Sequence, residues 1–219
     1  MNMNNGELRG MSRPIARDRP FLFVLLLSVG AVLAWSGHAP KDRFTWFLEV
    51  LPVLVALPLL MLSSRNFPLT ALAYGLIAIH AVILMIGGHY TYAEMPLFDW
   101  FQSEFGWARN HYDRVGHIAQ GFVPAILARE ILLRASPLRP GAWLGFLVVC
   151  VALSISAFYE FLEWWVAMAS GDEAVAFLAT QGDVWDTQWD MFLALLGAVA
   201  ALLLLSRLHD RQMRQRGFL

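Results

Sequence analysis

The sequence predicts an all-α polytopic membrane protein, a bundle of six transmembrane helices with both termini in the cytoplasm. Of its 219 residues, 58% are hydrophobic and 15% are charged, whereas a soluble domain has about half apolar and a quarter charged residues. The mean hydropathy is +0.53. These values exclude a soluble single domain and a disordered chain, and the single cysteine, Cys150, excludes an internal disulfide framework.

Six stretches approach the roughly 20 apolar residues that a helix needs to cross a bilayer core of about 30 Å. The predicted spans are residues 20–36, 44–62, 68–87, 114–134, 141–168 and 187–207. Together they form a predicted transmembrane domain, 20–207, which follows a basic arm (1–19) and precedes a basic tail (208–219). The first span has a second interpretation as a cleaved signal peptide, because arginines precede it and small residues follow it.

Each later span is marked by polar residues near one end. The second span contains Glu49 near its start, and the third ends at residues 87–90 with two glycines, a histidine and a tyrosine. The fourth begins with residues 111–117, the fifth carries an acidic pair near its end, and the sixth opens with residues 181–190, which are rich in aspartate and tryptophan. Because successive spans run in opposite directions, all these ends are expected on one side of the membrane.

Basic residues assign the sides of the membrane, because lysine and arginine are retained in cytoplasmic loops. Twelve of the sixteen basic residues lie in the arm, the tail and the loops on their side, and four lie on the opposite side. Both termini are therefore predicted to be cytoplasmic. Thirteen of the seventeen acidic residues fall on the outer side, a bias that the topology rule does not explain. Anionic lipid suffices as a partner for the basic arm and tail, and nucleic-acid binding is not expected.

The polar residues on the outer side have helical spacing. At about 100° per residue, Asp113 and His117 share one helix face. Glu160 and Glu163 share a face of the fifth span, and Asp186 and Asp190 share a face of the sixth. Ionisable groups in hydrocarbon are costly, so these faces are expected to turn toward the bundle interior or an aqueous cavity. The candidate metal ligands that converge there are Glu49, His89, Asp113, His117, Glu160, Glu163, Asp186 and Asp190.

Six carboxylates so close together cannot all be ionised without compensation. Three explanations are open: some are protonated, Arg109 and Arg114 pair with them, or a divalent cation lies among them. Carboxylate and imidazole ligands suit zinc, manganese or iron, and an oxygen-rich subset suits magnesium. Single residues also have simpler interpretations, in which Asp183 or Asp186 caps the last helix and the mid-span His80 bonds to a neighbouring helix.

Three stretches carry a resemblance to a known family: HYDRVGHIAQGFVP (111–124), FYEFLEW (158–164) and QGDVWDTQWDM (181–191). They resemble the YjdF family of bacterial inner-membrane proteins, and the similarity covers nearly the whole chain. The domain of that family has no assigned function. The resemblance therefore implies a multi-pass protein of the bacterial inner membrane and little about its chemistry.

The order of motifs is also similar to that of the VanZ-like family, which is linked to glycopeptide-antibiotic tolerance. The similar features are Asp113 and His117 at the start of a span, the acidic pair of the fifth span, and Asp186 and Asp190 followed by Gly197. VanZ-like chains differ in having an asparagine near the position of Asp190 and a glutamine after the acidic pair. The resemblance implies a shared site architecture.

Two functions fit the predicted site. The first is a metal-dependent enzyme at the outer face that acts on a lipid-linked or cell-envelope substrate. Its candidate catalytic residues are Asp113, His117, Glu160 and Glu163. The second is a non-enzymatic carrier, binding protein or sensor that holds cations or protons in the same cluster. Transporters commonly place their sites near the midplane within repeated halves, and the position of these residues at one end favours the enzyme.

Residues 88–112 form the longest predicted loop, in which aromatic residues lie between acidic ones. This composition predicts an interfacial amphipathic segment that lies over the site as a lid. A disordered loop with scattered aromatic residues is the alternative.

The predicted orientation has a direct test in a periplasmic reporter enzyme fused to truncated chains. A fusion after Gly171 is expected to be active, because that loop is predicted to lie outside. A fusion after Pro137, in a basic loop, is expected to be inactive. The reverse pattern would place the polar ends of the spans in the cytoplasm and contradict the prediction.

Overall fold

The computed structural model describes residues 13–170 and 175–219. Over these residues the chain is helical and has no strand, which confirms the all-α prediction. In chain order the helices are α1 (Arg13–Ser36), α2 (Arg43–Ser63), α3 (Ala71–Tyr90), α4 (Pro96–Phe105), α5 (Tyr112–Ala135), α6 (Ala142–Ser170), α7 (Val175–Leu178) and α8 (Asp186–Gln215). Residues 1–12 of the predicted basic arm lie outside the described part.

Five helices within the described residues are long and apolar enough to cross a membrane: α1, α2, α3, α6 and α8. The fourth predicted span forms α5. This helix is 24 residues long, like α1, but it is less apolar, and its composition does not meet the requirement for a membrane-spanning helix. The predicted count of six spans is therefore not confirmed. The class of a multi-pass membrane protein agrees with the five apolar helices.

The two ends of the bundle are named here after their buried histidines. At the His117 end, α1, α3 and α6 finish and α2, α5 and α8 begin; the His209 end is the opposite one. Helix α8 continues to Gln215, past the predicted end of the last span at residue 207, because His209 and Met213 are fully buried against other helices. The predicted tail is therefore largely part of a packed helix.

Helix α5 is the centre of the bundle and packs against α3, α6 and α8, while α1 and α2 pack on α3. Thirteen of its 24 residues are buried, including the charged residues Asp113, Arg129 and Glu130. Its low hydropathy follows from this position, because its polar side chains face other helices and not lipid.

Helices α5 and α8 approach each other closely enough for backbone to touch backbone. A Cβ atom on Gly121 would lie 1.8 Å from the carbonyl oxygen of Ala194, and one on Gly197 would lie 2.2 Å from that of Ile118. Only glycine is compatible with either position. Small residues at such contacts allow strong van der Waals packing between helices in a membrane.

A tyrosine sets the spacing between α3 and α5. Tyr92 follows α3 in the left-handed region, with φ of 50°, and its ring fills the space beside two glycines. A Cβ on Gly87 would lie 2.1 Å from this ring, and one on Gly116 would lie 3.0 Å from it. The neighbouring Gly88 lets α2 approach α3, since its Cβ would lie 3.1 Å from Cβ of Glu49.

The His209 end contains a buried polar network that the sequence patterns do not predict. Glu130 is fully buried and accepts hydrogen bonds from Thr70 N at 2.9 Å and Thr70 Oγ1 at 2.7 Å. It also accepts from Arg134 Nη1 at 2.9 Å and lies 3.1 Å from His209 Nε2. The N-cap residue of α3, an arginine of α5 and a histidine of α8 therefore all contact this one carboxylate.

The hydrogen bonds of His209 define its tautomer. Arg129 Nη1 lies 2.9 Å from His209 Nδ1, and a guanidinium can only donate, so Nδ1 accepts. The proton of a neutral His209 is then on Nε2, which donates to Glu130. Arg129 Nη2 also donates to Asp210 Oδ1 at 2.6 Å. Each charged group has a partner, so this network is suited to holding α3, α5 and α8 together.

The α5–α8 contact predicts a strong effect of Gly121→Leu. The added side chain must separate the helices, and overpacking of this kind costs about 3 kcal/mol or more where the neighbour is backbone. We expect a clear loss of thermal stability in detergent. Gly30→Leu on α1 is the matched control, because no described atom lies within 4 Å of its Cβ position. Equal stability of the two variants would contradict the close contact.

Candidate functional site

His117 lies at the centre of the polar side chains that α5, α6 and α8 bring together. Its Nδ1 atom lies 3.0 Å from Gln120 Oε1. Its Nε2 atom lies 3.4 Å from Asp113 Oδ1 and 3.7 Å from Asp190 Oδ2. Glu160 Oε1 is 3.9 Å from Nδ1. Three helices therefore place acceptor groups around one imidazole.

The Gln120 contact defines what Nε2 of His117 can do. An amide oxygen only accepts hydrogen bonds, so Nδ1 carries a proton and donates it to Gln120. A neutral His117 then directs the lone pair of Nε2 toward the carboxylates of Asp113 and Asp190. These lone pairs repel one another unless positive charge lies between them. The geometry requires either a proton or a cation at this point.

Three carboxylate oxygens in the cluster are buried and have no hydrogen-bond partner among the described residues. They are Asp113 Oδ2, Glu160 Oε1 and Asp190 Oδ1. The parent residues are 3–7% exposed, so bulk water does not solvate them. Unsatisfied buried carboxylate oxygens are costly, and a bound cation is one way to satisfy them.

The geometry brings together two groups of possible metal ligands that share His117. The first combines it with Asp113 and Asp190, and the second with Glu160 and Glu163. Within each group, one ligand atom per residue lies within 4.8 Å of the others. Five of the eight predicted ligands therefore converge, although their role as ligands stays a prediction.

Asp186, another predicted ligand, is paired with Arg109. The buried guanidinium donates a short hydrogen bond from Nη1 to Asp186 Oδ1, and its Nη2 donates to Ala179 O at 3.1 Å. Arg109 also lies 3.5 Å from Asp183 Oδ2 and 3.6 Å from Asp113 Oδ2. One cation therefore links the carboxylates at the start of α5 and α8. Asp186 also lies in the first turn of α8, at the positive end of the helix dipole, and Asp183 Oδ1 accepts a hydrogen bond from Trp185 N at 3.0 Å.

The two remaining predicted ligands lie apart from these groups. Glu49 is buried on α2, where its Oε2 accepts a hydrogen bond from the hydroxyl of Tyr159 at 3.2 Å. His89 donates from Nδ1 to Ser36 O at 2.9 Å, and its ring centroid is 4.5 Å from that of Trp35. The α1–α3 contact thus accounts for His89.

The loops at the His117 end are joined to one another and to the start of α5. Asn110 is fully buried, donates its backbone N–H to Gln181 Oε1 and accepts from Gln181 Nε2, both at 2.9 Å. Its side chain donates to Asp99 on α4 at 2.7 Å. Helix α4 itself packs Phe98 on Tyr112, with ring centroids 5.5 Å apart. Residues 96–105 are helical, so the alternative of a disordered loop is wrong for this stretch.

Two groups next to the helix ends have shifted titration. Burial, with help from the guanidiniums of Arg114 and Arg109, lowers the pKa of His111, so this imidazole is neutral near pH 7. Burial and the Glu49 carboxylate raise the pKa of Tyr92. Its hydroxyl therefore remains protonated and available as a donor beside the cluster.

Comparison with known proteins places the chain among membrane proteins. The family model described as "Predicted membrane protein (DUF2238)" matches residues 21–211. Over 193 residues the chain is 50% identical to "Inner membrane protein YjdF" of Escherichia coli (strain K12), which covers 88% of this chain and 92% of that protein. No solved structure gives a significant match. The predicted resemblance to the YjdF family is confirmed, whereas the VanZ-like resemblance is not shown.

The pairing of Arg109 predicts a large effect of Arg109→Gln on stability. Removal of this buried cation leaves neighbouring carboxylates without compensation, which typically costs about 3–5 kcal/mol. Lys41→Gln is the matched control, because its ion pair with Glu94 is exposed and such pairs contribute about 1 kcal/mol or less. Thermal unfolding in detergent measures both. A loss for Arg109→Gln no greater than for the control would contradict the role of Arg109.

Proposed function

The chain belongs to the DUF2238 family of predicted membrane proteins, and we propose that it is a metal-dependent enzyme of the bacterial inner membrane. Its proposed substrate is lipid-linked or part of the cell envelope. The observation that carries the proposal is the set of buried carboxylate oxygens around His117 that lack a hydrogen-bond partner among the described residues. A divalent cation beside Nε2 of His117 would compensate the carboxylates of Asp113 and Asp190 together with the Nε2 lone pair.

The first ligand group is the proposed metal site. Asp113, His117 and Asp190 offer two carboxylates and an imidazole, a combination that suits zinc, manganese or iron and leaves positions open for a substrate. The hydrogen bond from Nδ1 to Gln120 fixes the ring so that Nε2 faces the other two ligands. When bound, such an ion polarises an oxygen of the substrate or lowers the pKa of a water molecule.

The second ligand group contributes the proposed base. Glu160 and Glu163 lie on the same face of α6, on the Nδ1 side of His117. A carboxylate next to the metal group is placed to accept a proton from a water or a hydroxyl nucleophile. Arg114, at the same end and partly exposed, supplies positive charge for an anionic group of the substrate. Asp186 holds Arg109 in position, and Glu49 holds Tyr159, which lies next to Glu160 on α6.

We further propose that α5 is a sixth span and that both termini are cytoplasmic. The distribution of basic residues supports this orientation, which puts the His117 end on the outer side. The similarity to an inner membrane protein of Escherichia coli supports a location in the inner membrane. The similarity of this chain to VanZ-like proteins is proposed for the order of the site motifs only.

A cation or proton carrier is the second candidate. It is favoured by a second cluster of histidine and carboxylate on the same two helices, Glu130 with His209. His117 and Glu130 are thirteen residues apart on α5, or about 20 Å. Between them lie the backbone contacts of Gly121 and Gly197 and fully buried alanines, which leave no room for a polar path in this conformation. The enzyme is therefore the better supported proposal.

Elemental analysis of the purified full-length protein tests the proposal. We expect a stoichiometric divalent metal in the wild type and its loss in His117→Ala and Asp190→Asn, because each variant removes one ligand. His38→Ala and Glu104→Gln change exposed residues of similar type and are expected to keep the metal. Circular dichroism verifies the fold of each variant.

Two results would contradict the metal-dependent enzyme. One is a folded wild-type protein that is free of metal after purification without chelators and after addition of zinc or manganese. The other is metal retention in both ligand variants at wild-type stoichiometry. The first result would favour a protonated network and the proton-binding alternative, and the second would place the metal outside the proposed ligand group.

A further inference from the structure

We propose that α4 docks on the lipid–water interface of the membrane at the His117 end and lies in the plane of that interface. The side chains that dock are Leu97, Phe101, Phe105 and Trp107, which are called the α4 surface below. Their partner is the bilayer that surrounds the apolar helices. This inference is independent of the proposed metal site.

The side chains of α4 divide into an apolar stripe and a polar stripe. Leu97, Phe101 and Phe105 are spaced four residues apart and therefore share one face of the helix. Asp99 and Ser103 lie on the opposite face and are exposed. Two members of the apolar stripe are also exposed, Leu97 to 50% and Phe105 to 60%. A helix with one polar face and one exposed apolar face is suited to the interface between water and lipid.

Aromatic rings extend the apolar stripe past the end of the helix. The ring centroids of Phe101 and Phe105 are 6.0 Å apart, and Trp107 stacks on Phe105 with a centroid distance of 5.6 Å. Trp107 is nevertheless 40% exposed. Contiguous exposed apolar side chains mark an interaction surface, and tryptophan is enriched where membrane meets water.

The length and the connections of α4 place it at the membrane interface. Its ten residues measure about 15 Å, half of a hydrocarbon core of about 30 Å, so it cannot cross the membrane. It is joined by short segments to the end of α3 at Tyr90 and to the start of α5 at Tyr112, both at the His117 end. The exposed Trp35 of α1 and Trp189 of α8 lie at the same end, as in an interfacial aromatic belt.

The α4 surface is continuous with the lipid-facing surface of the bundle. Trp107 contacts the ring of His111, with centroids 5.0 Å apart. One turn further along the chain, the guanidinium of Arg114 lies 5.4 Å from the ring centroid of Trp189, and that ring lies 6.0 Å from Phe192. Phe192 is exposed on α8, which is apolar enough to cross the membrane. The lipid that covers α8 therefore reaches the edge of the α4 surface.

The charge of this segment indicates which property of the bilayer is recognised. Residues 88–108 contain three carboxylates and no lysine or arginine. Attraction to anionic lipid headgroups therefore cannot drive the docking, and the burial of apolar side chains must do so. We expect α4 to dock equally well on zwitterionic and on anionic bilayers.

Docking of α4 would support the start of the helix that carries His117. Asn110 donates from Nδ2 to Asp99 Oδ1 at 2.7 Å and to Met95 O at 3.1 Å. Its Oδ1 accepts from the backbone N–H of Tyr112, the first residue of α5, at 3.0 Å. The lipid interface would thus hold α4, and α4 would hold the first turn of α5 through Asn110.

Nitroxide labels on the full-length protein in nanodiscs test the depth of α4. The background is Cys150→Ala, which removes the single native cysteine. A label introduced through Leu97→Cys is expected to be more accessible to oxygen than to a water-soluble nickel complex, because oxygen concentrates in lipid. A label introduced through Ser103→Cys, on the polar stripe, is expected to show the reverse preference. Equal preference for the nickel complex at both positions would overturn the proposal.

A charge on the apolar stripe tests which face docks. Phe105→Glu is expected to move the label at position 97 into water, because a carboxylate opposes burial in lipid. Ser103→Glu is the matched control on the polar stripe and is expected to leave that label in lipid. A label that moves in both variants, or in neither, would overturn the assigned surface. If Phe105→Glu does not fold by circular dichroism, the comparison of positions 97 and 103 still decides the docking.

The composition of the nanodiscs separates lipid from other partners. With one protein copy in each disc, the label at position 97 is expected at the same depth in phosphatidylcholine and in phosphatidylglycerol. A depth that requires phosphatidylglycerol would overturn the apolar basis of the docking. Protection of the label only in discs with two copies would show that a second copy covers the surface, and would also overturn the proposal.

Discussion

The close contact between α5 and α8 is the constraint on which the candidate site depends. Gly121 and Ala194 touch through their backbones, and one turn away on the same helices lie His117 and Asp190. An imidazole and a short aspartate side chain can approach to 3.7 Å only if the two helix axes are near each other. The glycines in the middle of the helices thus allow the approach on which the polar contacts at the His117 end depend. Between α3 and α5, Gly87 and Gly116 instead make room for the ring of Tyr92.

The two ends of the bundle use similar residues for different purposes. At the His209 end, each nitrogen of His209 has a partner and Glu130 accepts hydrogen bonds from three residues. At the His117 end, buried carboxylate oxygens have no partner within the described part of the chain. A network with every group satisfied stabilises a single structure, whereas an incompletely satisfied one has capacity for a ligand. This difference, and not the presence of charge alone, distinguishes a structural cluster from a candidate site.

Much of the architecture could be predicted from the sequence, because a membrane-spanning helix is recognised by the length of its apolar stretch. Five of the six predicted spans are long apolar helices in the structure. The i, i+4 spacing of Asp113 and His117 also predicted their shared face. The ion-pair and hydrogen-bond partners of the polar side chains could not be predicted from the sequence. Nothing in the local sequence shows that Arg109 pairs with Asp186 or that His89 turns toward Ser36, since both contacts join distant segments. The His209 network was overlooked because Arg129, Glu130 and Asp210 resemble the solvated edges of spans, although they are buried or nearly so.

The composition of α5 bears on how the protein is made. A segment with this many polar residues has little tendency to leave the translocation channel for lipid by itself. Several of the groups that neutralise it come from α8, through Glu130 with His209 and through Arg129 with Asp210. Helix α8 follows α5 along the chain, after α6 and α7. If α5 crosses the bilayer, its stable insertion therefore waits for the synthesis of α8, so a chain that stops before α8 would present α5 to the quality-control proteases of the membrane.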